Sequence, residues 1–77
     1  MDIQLADVTI HVDENLQPDV RAAIEAKLRA LDGVVSVHNS DNTPHLVVVE
    51  YNPKVLKSSA LLDAVKRENV HAELIGL

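Results

Sequence analysis

The first half of the chain alternates between extended and helical hydrophobic patterns. Val8 to Val12 is rich in β-branched residues and predicts a strand. A helix is predicted next by apolar residues at helical spacing, namely Val20, Ala23, Ile24, Leu28 and Leu31. Gly33 can take the left-handed backbone that ends a helix. The valine-rich run that begins at Val34 then predicts a second strand.

The second half repeats this plan. Leu46 to Tyr51 is predicted as extended, Ser58 to Glu68 as helical and His71 to Ile75 as extended. Two consecutive β-α-β units in 77 residues predict a single domain over residues 1–77, an α+β fold with the ferredoxin-like βαββαβ order. Such a fold has a four-stranded antiparallel sheet of order 4-1-3-2 with two helices on one face. The other face stays uncovered and is called the open face below.

Composition narrows the function. The net charge of −5 and the lack of a dense Lys/Arg cluster argue against nucleic acid as a partner. The chain has no cysteine, so it offers no disulfide and no thiolate ligand. No apolar run is long enough to insert into a membrane, and Met1 to Leu5 has no basic region or long apolar run. The expected compartment is the cytoplasm.

Three segments resemble the heavy-metal-associated domain of copper chaperones, copper-pumping P-type ATPases and mercury-binding proteins. The resemblance runs from about Val8 to Ile75 and implies the same ferredoxin-like fold. The segments are Ile24-Glu25-x-x-Leu28-x-x-Leu31-Asp32-Gly33-Val34-x-x-Val37, Val47-x-Val49-x-Tyr51-Asn52-Pro53, and Leu61-x-x-Ala64-Val65 followed by Glu68-Asn69-Val70.

The signature that binds metal in this family, M-x-C-x-x-C, is absent. Counting back from Ile24, the resemblance assigns the methionine position to Asn15 and the two cysteine positions to Gln17 and Val20. Cu⁺ prefers soft sulfur ligands, which these residues do not supply. Family members also dock onto homologous domains while they pass copper. The resemblance therefore implies a docking surface even where the metal ligands are missing.

The four histidines are predicted to gather at one end of the sheet. His11, His38 and His71 are expected on the open face, with His11 and His71 in contact across adjacent strands. Together with Asp13 or Glu14, these two imidazoles would suit Zn²⁺, Ni²⁺ or Cu²⁺. The alternative is that they are ordinary solvated strand residues, since no sequence-local ligand pair is present. No resident cofactor is otherwise expected.

An apolar strip is predicted on the open face. Leu46 and Val48 alternate with inward-facing valines, and Ile75 is expected to join them, whereas Val35 is expected to face the core. Such a strip is typical of a surface for a protein partner or for self-association. The alternative is incidental apolar exposure, which is common on protein surfaces.

These patterns favour a non-catalytic binding module that acts through protein contact. One alternative is a metal-binding or metal-transport protein with histidine and carboxylate ligands. A second is a regulatory domain that binds a small molecule, as ferredoxin-like ACT domains do. An enzyme is not expected, because the sequence has neither a G-x-S-x-G elbow nor a G-x-x-x-x-G-K-[ST] phosphate loop.

Overall fold

The computed structural model describes residues 4–75 and confirms the ferredoxin-like fold. Its elements are β1 (Ala6–Val12), α1 (Pro18–Arg29), β2 (Val34–Ser40), β3 (Thr43–Tyr51), α2 (Ser58–Lys66) and β4 (Ala72–Ile75). All neighbouring strands are antiparallel, in the order β2-β3-β1-β4, which is the predicted order read from the opposite edge.

Several boundaries differ from the prediction. β1 begins at Ala6 rather than Val8, and β4 begins at Ala72 rather than His71. β3 begins at Thr43 rather than Leu46, because Ser40 pairs with Thr43 and only Asp41 and Asn42 form the turn between β2 and β3. α2 ends at Lys66 rather than Glu68.

The core lies between the two helices and one face of the sheet. It consists of aliphatic residues and the single tyrosine, namely Ile10, Val12, Ile24, Leu28, Val37, Val47, Val49, Tyr51, Leu61, Ala64 and Val65. The strand members of this set are spaced two apart along β1 and β3, which places the intervening residues on the opposite face. The sheet is therefore covered by helices on one face only.

α1 ends at Arg29 with Ala30 as its C-cap, and Gly33 forms the turn that leads into β2. Its φ of +96° is a left-handed conformation that favours glycine. A Cβ atom at this position would lie 2.8 Å from Cβ of Val55, and the Gly33 carbonyl accepts a 2.7 Å hydrogen bond from the backbone N–H of Asn52. This close approach joins the α1–β2 turn to the segment that follows β3.

Val35 does not face the core, so the prediction for this residue was wrong. Its exposed fraction is 56%, whereas Val34 packs against the core. The cause is a register shift: Val34 pairs with Tyr51 and Ser36 with Glu50, so Val35 is an extra residue on β2. A β-bulge of this kind interrupts the strict alternation from which the prediction was made.

Candidate functional site

The open face presents three rows of side chains across the strands. One row pairs Asp7 of β1 with Glu50 of β3, and the next pairs Thr9 with Val48 and with Ile75 of β4. The third pairs His11 with Leu46 on one side and with Glu73 on the other. On β2, Ser36 lies beside Glu50 and His38 beside Val48. Polar, acidic and apolar residues are therefore interleaved on a single surface.

The three apolar residues predicted as an interaction strip lie on this face. Ile75 is 41% exposed, while Leu46 and Val48 are half-buried. Register explains the difference, since β3 is a central strand whose residues have neighbours on both sides and β4 is an edge strand. The strip is therefore partly screened by flanking residues, with Ile75 as its most accessible member.

The charges on the sheet have one sign. The four strands contain Asp7, Glu50 and Glu73 but no lysine or arginine. The seven Lys and Arg residues lie instead on the helices and the segments that flank α2, at positions 21, 27, 29, 54, 57, 66 and 67. The chain carries a net charge of −5. The open face contributes carboxylates without lysine or arginine, whereas the helical layer holds the cations.

The prediction that all four histidines gather at one end of the sheet was wrong for His38, which pairs with Val48 at the level of Thr9, in the middle of the open face. His11, His45 and His71 do lie at one end, but their partners differ from the prediction. His11 is paired with Glu73, not with His71. His71 lies one position further along, where its carbonyl accepts a 2.9 Å hydrogen bond from the backbone N–H of Asp13. The expected cross-strand contact between His11 and His71 is therefore replaced by contacts of each imidazole with a carboxylate.

His71 is held by Glu14. The Glu14 carboxylate accepts hydrogen bonds from the backbone N–H of His71, at 2.9 and 3.0 Å, and its Oε2 lies 2.7 Å from Nδ1 of the ring. The side-chain hydrogen bond, helped by the negative charge, raises the pKa of His71, and the same bond lowers the pKa of Glu14. This contact ties the β1–α1 loop to the start of β4.

His11, Asp13 and Glu73 form a separate group. Nδ1 of His11 lies 3.1 Å from Oδ1 of Asp13 and 3.9 Å from Oε1 of Glu73, and the three ligand atoms lie within 4.8 Å of one another. Sequence reasoning found His11 and Asp13 but missed Glu73. The sequence did contain a signal for Glu73. It alternates along β4 with Ala72 and Leu74, which pack against the core, so it lies on the open face with His11.

His45 also adjoins this group. Its ring stacks on that of His11, with centroids 5.9 Å apart and an interplanar angle of 20°. Nδ1 of His45 lies 2.7 Å from the carbonyl oxygen of Val12, the last residue of β1. The sequence placed His45 at this end of the sheet but assigned it no contact.

The β1–α1 loop does not provide a site for Cu⁺. Asn15 and Gln17 are exposed, and Gln17 is the N-cap residue of α1 without a side-chain cap hydrogen bond. Val20, at the second position that the resemblance assigns to cysteine, packs against the core. Because these positions hold an amide, a second amide and a valine, no thiolate pair can form there.

Within residues 4–75, no helix is long and apolar enough to cross a membrane.

Comparison with solved structures gives similar folds across nearly the whole chain. The N-terminal domain of a potential copper-translocating P-type ATPase from Bacillus subtilis, solved in its Cu(I)-loaded state, is 25% identical, with a TM-score of 0.84. That match covers 95% of this chain and 90% of the other. Oxidized MerP from Ralstonia metallidurans CH34 is 15% identical, with a TM-score of 0.83 and coverage of 95% and 100%. The yeast copper transporter domain CCC2A is 20% identical, with a TM-score of 0.80 and coverage of 91% and 94%.

A scan against protein-family models finds no match, and a search of curated proteins finds no significant relative. The likeness therefore rests on the course of the backbone together with the packing and turn residues identified above. It covers both β-α-β units, and the similar structures named here are two copper domains and MerP. The chain thus has the fold of the heavy-metal-associated domains that its sequence resembles, and it has that fold without a single cysteine.

Proposed function

We propose that this chain is a non-catalytic binding module that docks a protein partner with a basic surface on the open face of its sheet. The observation that carries the proposal is the composition of that face. A small apolar strip lies between carboxylates, and the four strands contain no lysine or arginine. A surface of this kind matches a partner with an apolar centre and a rim of Lys and Arg.

The apolar strip supplies the centre of the proposed contact. Val48 and Ile75 lie at the same level of the sheet, on either side of Thr9, and Leu46 is two residues from Val48 on β3. These side chains still have surface to lose, most of all Ile75. Burying apolar surface is favourable by roughly 25 cal/mol per Å², so a partner that covers the strip gains affinity from it.

The carboxylates decide which partner fits. Asp7 and Glu50 are directly opposite each other at one end of the strip, and Glu73 and Asp13 lie at the other. A second copy of this chain would bring the same carboxylates face to face, and like-charge contact is unfavourable in an interface. A basic partner instead relieves the repulsion between Asp7 and Glu50 that exists in the isolated fold. The charge pattern therefore favours a different protein over self-association.

A binding role also agrees with the contacts in the described part of the chain. Within residues 4–75, the hydrogen bonds made by histidine rings run to carboxylates and to a backbone carbonyl. The small-molecule alternative and the cytoplasmic location stay predictions. The alternative of histidine and carboxylate metal ligands is supported by the grouping of His11, Asp13 and Glu73.

Photo-crosslinking at the open face identifies the partner. A photoreactive amino acid replaces Val48 in one variant and the exposed α1 residue Ala26 in the other. The protein captured specifically at position 48 is then purified, and its Kd for this chain is measured. We expect a partner with a basic surface; capture of only a second copy of this chain, or capture at position 26 alone, would contradict the proposal.

A matched pair of charge reversals tests the contact with the purified partner. Glu50→Lys changes the open face, and Asp63→Lys makes the same change of charge at an exposed position of α2. We expect Glu50→Lys to weaken Kd by about tenfold or more, and Asp63→Lys by less than about twofold. Equal effects of the two variants would show that only net charge matters and would refute docking on the open face.

A further inference from the structure

We infer that His11, Asp13 and Glu73 form a binding site for a divalent transition metal ion of the Zn²⁺ class, at the end of the open face. Asp13 begins the loop in which the family resemblance places a metal, but the site uses none of the positions that the resemblance assigns to the metal motif, which are Asn15, Gln17 and Val20. The site would exist whether or not the open face docks a protein. The inference rests on the separations of the ligand atoms, on the strand pairing that fixes them and on the charge of the donor set.

The separations suit one metal ion. Zn²⁺ binds histidine nitrogen and carboxylate oxygen at about 2.0–2.2 Å, which in tetrahedral geometry places neighbouring ligand atoms about 3.4 Å apart. Nδ1 of His11 lies 3.1 Å from Oδ1 of Asp13 and 3.9 Å from Oε1 of Glu73, on either side of that value. Small side-chain rotations are therefore enough to bring all three atoms to bonding distance.

The backbone holds the three residues in place. His11 and Glu73 are directly paired across β1 and β4, and Asp13 follows His11 by two residues on the same face. The backbone N–H of Asp13 donates a hydrogen bond to the His71 carbonyl, which extends the strand pairing past the end of β1. Ligands carried by paired strands lose little conformational freedom when a metal binds.

The local charges leave room for a cation. Within residues 4–75, the ion-pair partner of both Asp13 and Glu73 is His11, and neither carboxylate pairs with a lysine or arginine. With His11 neutral, two carboxylates and one imidazole balance the charge of a divalent ion. On binding, Nδ1 of His11 gives up its hydrogen bond to Asp13, and its proton resides on Nε2 of the neutral ring.

The donor set selects the class of metal. One nitrogen and two oxygens suit Zn²⁺, Ni²⁺ or Cu²⁺ and do not suit Cu⁺, which prefers sulfur. The group is exposed to solvent, so water or a partner's side chain can complete the coordination. His45, stacked on His11 with its Nδ1 held at the Val12 carbonyl, is the nearest further imidazole.

Titration of ZnCl₂ into the tag-free full chain tests the site. Binding is measured by calorimetry and by NMR of the histidine side chains. We expect one equivalent to bind and the His11 ring resonances to shift. His11→Ala and Glu73→Gln should each weaken Kd by about tenfold or more. His38→Ala removes an imidazole from the middle of the open face, on β2, and should leave Kd unchanged within about twofold.

Three results would overturn the inference. The first is a Kd weaker than about 1 mM for the unmodified chain, which is adventitious binding. The second is full affinity in Glu73→Gln, checked for folding by circular dichroism. The third is loss of binding in His71→Ala with Glu73→Gln unaffected, because that would assign the metal to His71 and Glu14. Binding of the protein partner by Glu50→Lys is measured in the absence of metal. The docking proposal and the metal-site inference can therefore fail independently of each other.

Discussion

The two faces of the sheet are built from the same strands and have opposite chemistry. On the covered face, Ile10 and Val49 are completely buried and Val12 is 1% exposed, and packing against the helices determines what each position can hold. On the open face, Asp7 and Glu50 are paired although both are acidic, and histidines stand beside carboxylates. The covered face is arranged for stability, whereas the open face carries groups that the fold does not need. This difference is the basis on which we propose the open face as the binding surface.

Adjacent valines on β3 give the most direct contrast between the faces. Val49 is fully buried, and Val48 is half-buried on the open face. Val49→Ala should lower the free energy of unfolding by about 2–3 kcal/mol, because it removes buried methyl groups and leaves a cavity. Val48→Ala should lower it by less than about 1 kcal/mol. Urea denaturation of both variants measures the difference, and equal losses would contradict the assignment of the two faces.

A substitution at Gly33 tests the close approach of the α1–β2 turn to Val55 and Leu56. Gly33→Ala adds a Cβ that would lie within 2.5 Å of Cδ2 of Leu56, on a backbone with positive φ. We expect it to lower the free energy of unfolding by about 1–3 kcal/mol in denaturation experiments. The control is Asn69→Gly, at the other left-handed residue, which should stay within about 0.5 kcal/mol of the parent chain. A neutral Gly33→Ala would show that the turn is looser than described.

Substitution of the acidic pair on the open face should raise the free energy of unfolding, whereas the substitutions on the covered face lower it. Glu50→Gln removes the charge opposite Asp7, so it should raise the free energy of unfolding by about 0.2–1 kcal/mol. Added NaCl should narrow this gain, since salt screens exposed charges. Asp63→Asn, which removes one charge from α2, is the control for net charge. If Glu50→Gln destabilises the chain, the pair is not a source of repulsion.

The Glu14–His71 contact predicts a small pH dependence. His71, whose pKa is raised, contributes stability that is complete below its ordinary value of 6.5 and is lost as the pH rises through the raised value. Glu14, whose pKa is lowered, contributes stability that is present above its ordinary value of 4.5 and is lost as the pH falls through the lowered value. The pair is therefore most stabilising between pH 4.5 and 6.5.

An NMR titration of the His71 ring checks this contact. Glu14→Gln removes the carboxylate that accepts the hydrogen bond, so the pKa of His71 should fall in that variant. Asp19→Asn, at an exposed residue in the first turn of α1, provides the control and should leave the pKa of His71 in place. An unchanged pKa in Glu14→Gln would mean that the contact does not persist in solution.

The fold could be predicted because every element is marked locally. Alternation gives the strands and helical spacing gives α1 and α2, while Gly33 and Asn69, both at positive φ, mark where the chain turns after each helix. The topology then brings His11, His45 and His71 to one end of the sheet, but it does not place His38 with them. None of these features depends on the exact pairing of strands.

The candidate site could be predicted only in part, because its contacts depend on the exact pairing of the strands. The alternation of side chains has a period of two, so it assigns Glu73 and His71 to the same face but does not show which of them is opposite His11. The contact between Glu14 and His71 joins residues 57 positions apart, with no local signal in the sequence. The bulge at Val35 likewise is a feature of the pairing between β2 and β3, which alternation along β2 alone does not show.

The central claim is that the open face, not the helical layer or the β1–α1 loop, is the functional surface. Amide NMR of the ¹⁵N-labelled chain with the purified partner captured at position 48 tests it most directly. We predict that the largest shifts fall at Thr9, Val48 and Ile75, while the amides of α1 and α2 change little. Shifts concentrated on the helices, with these strand residues unmoved, would contradict the claim.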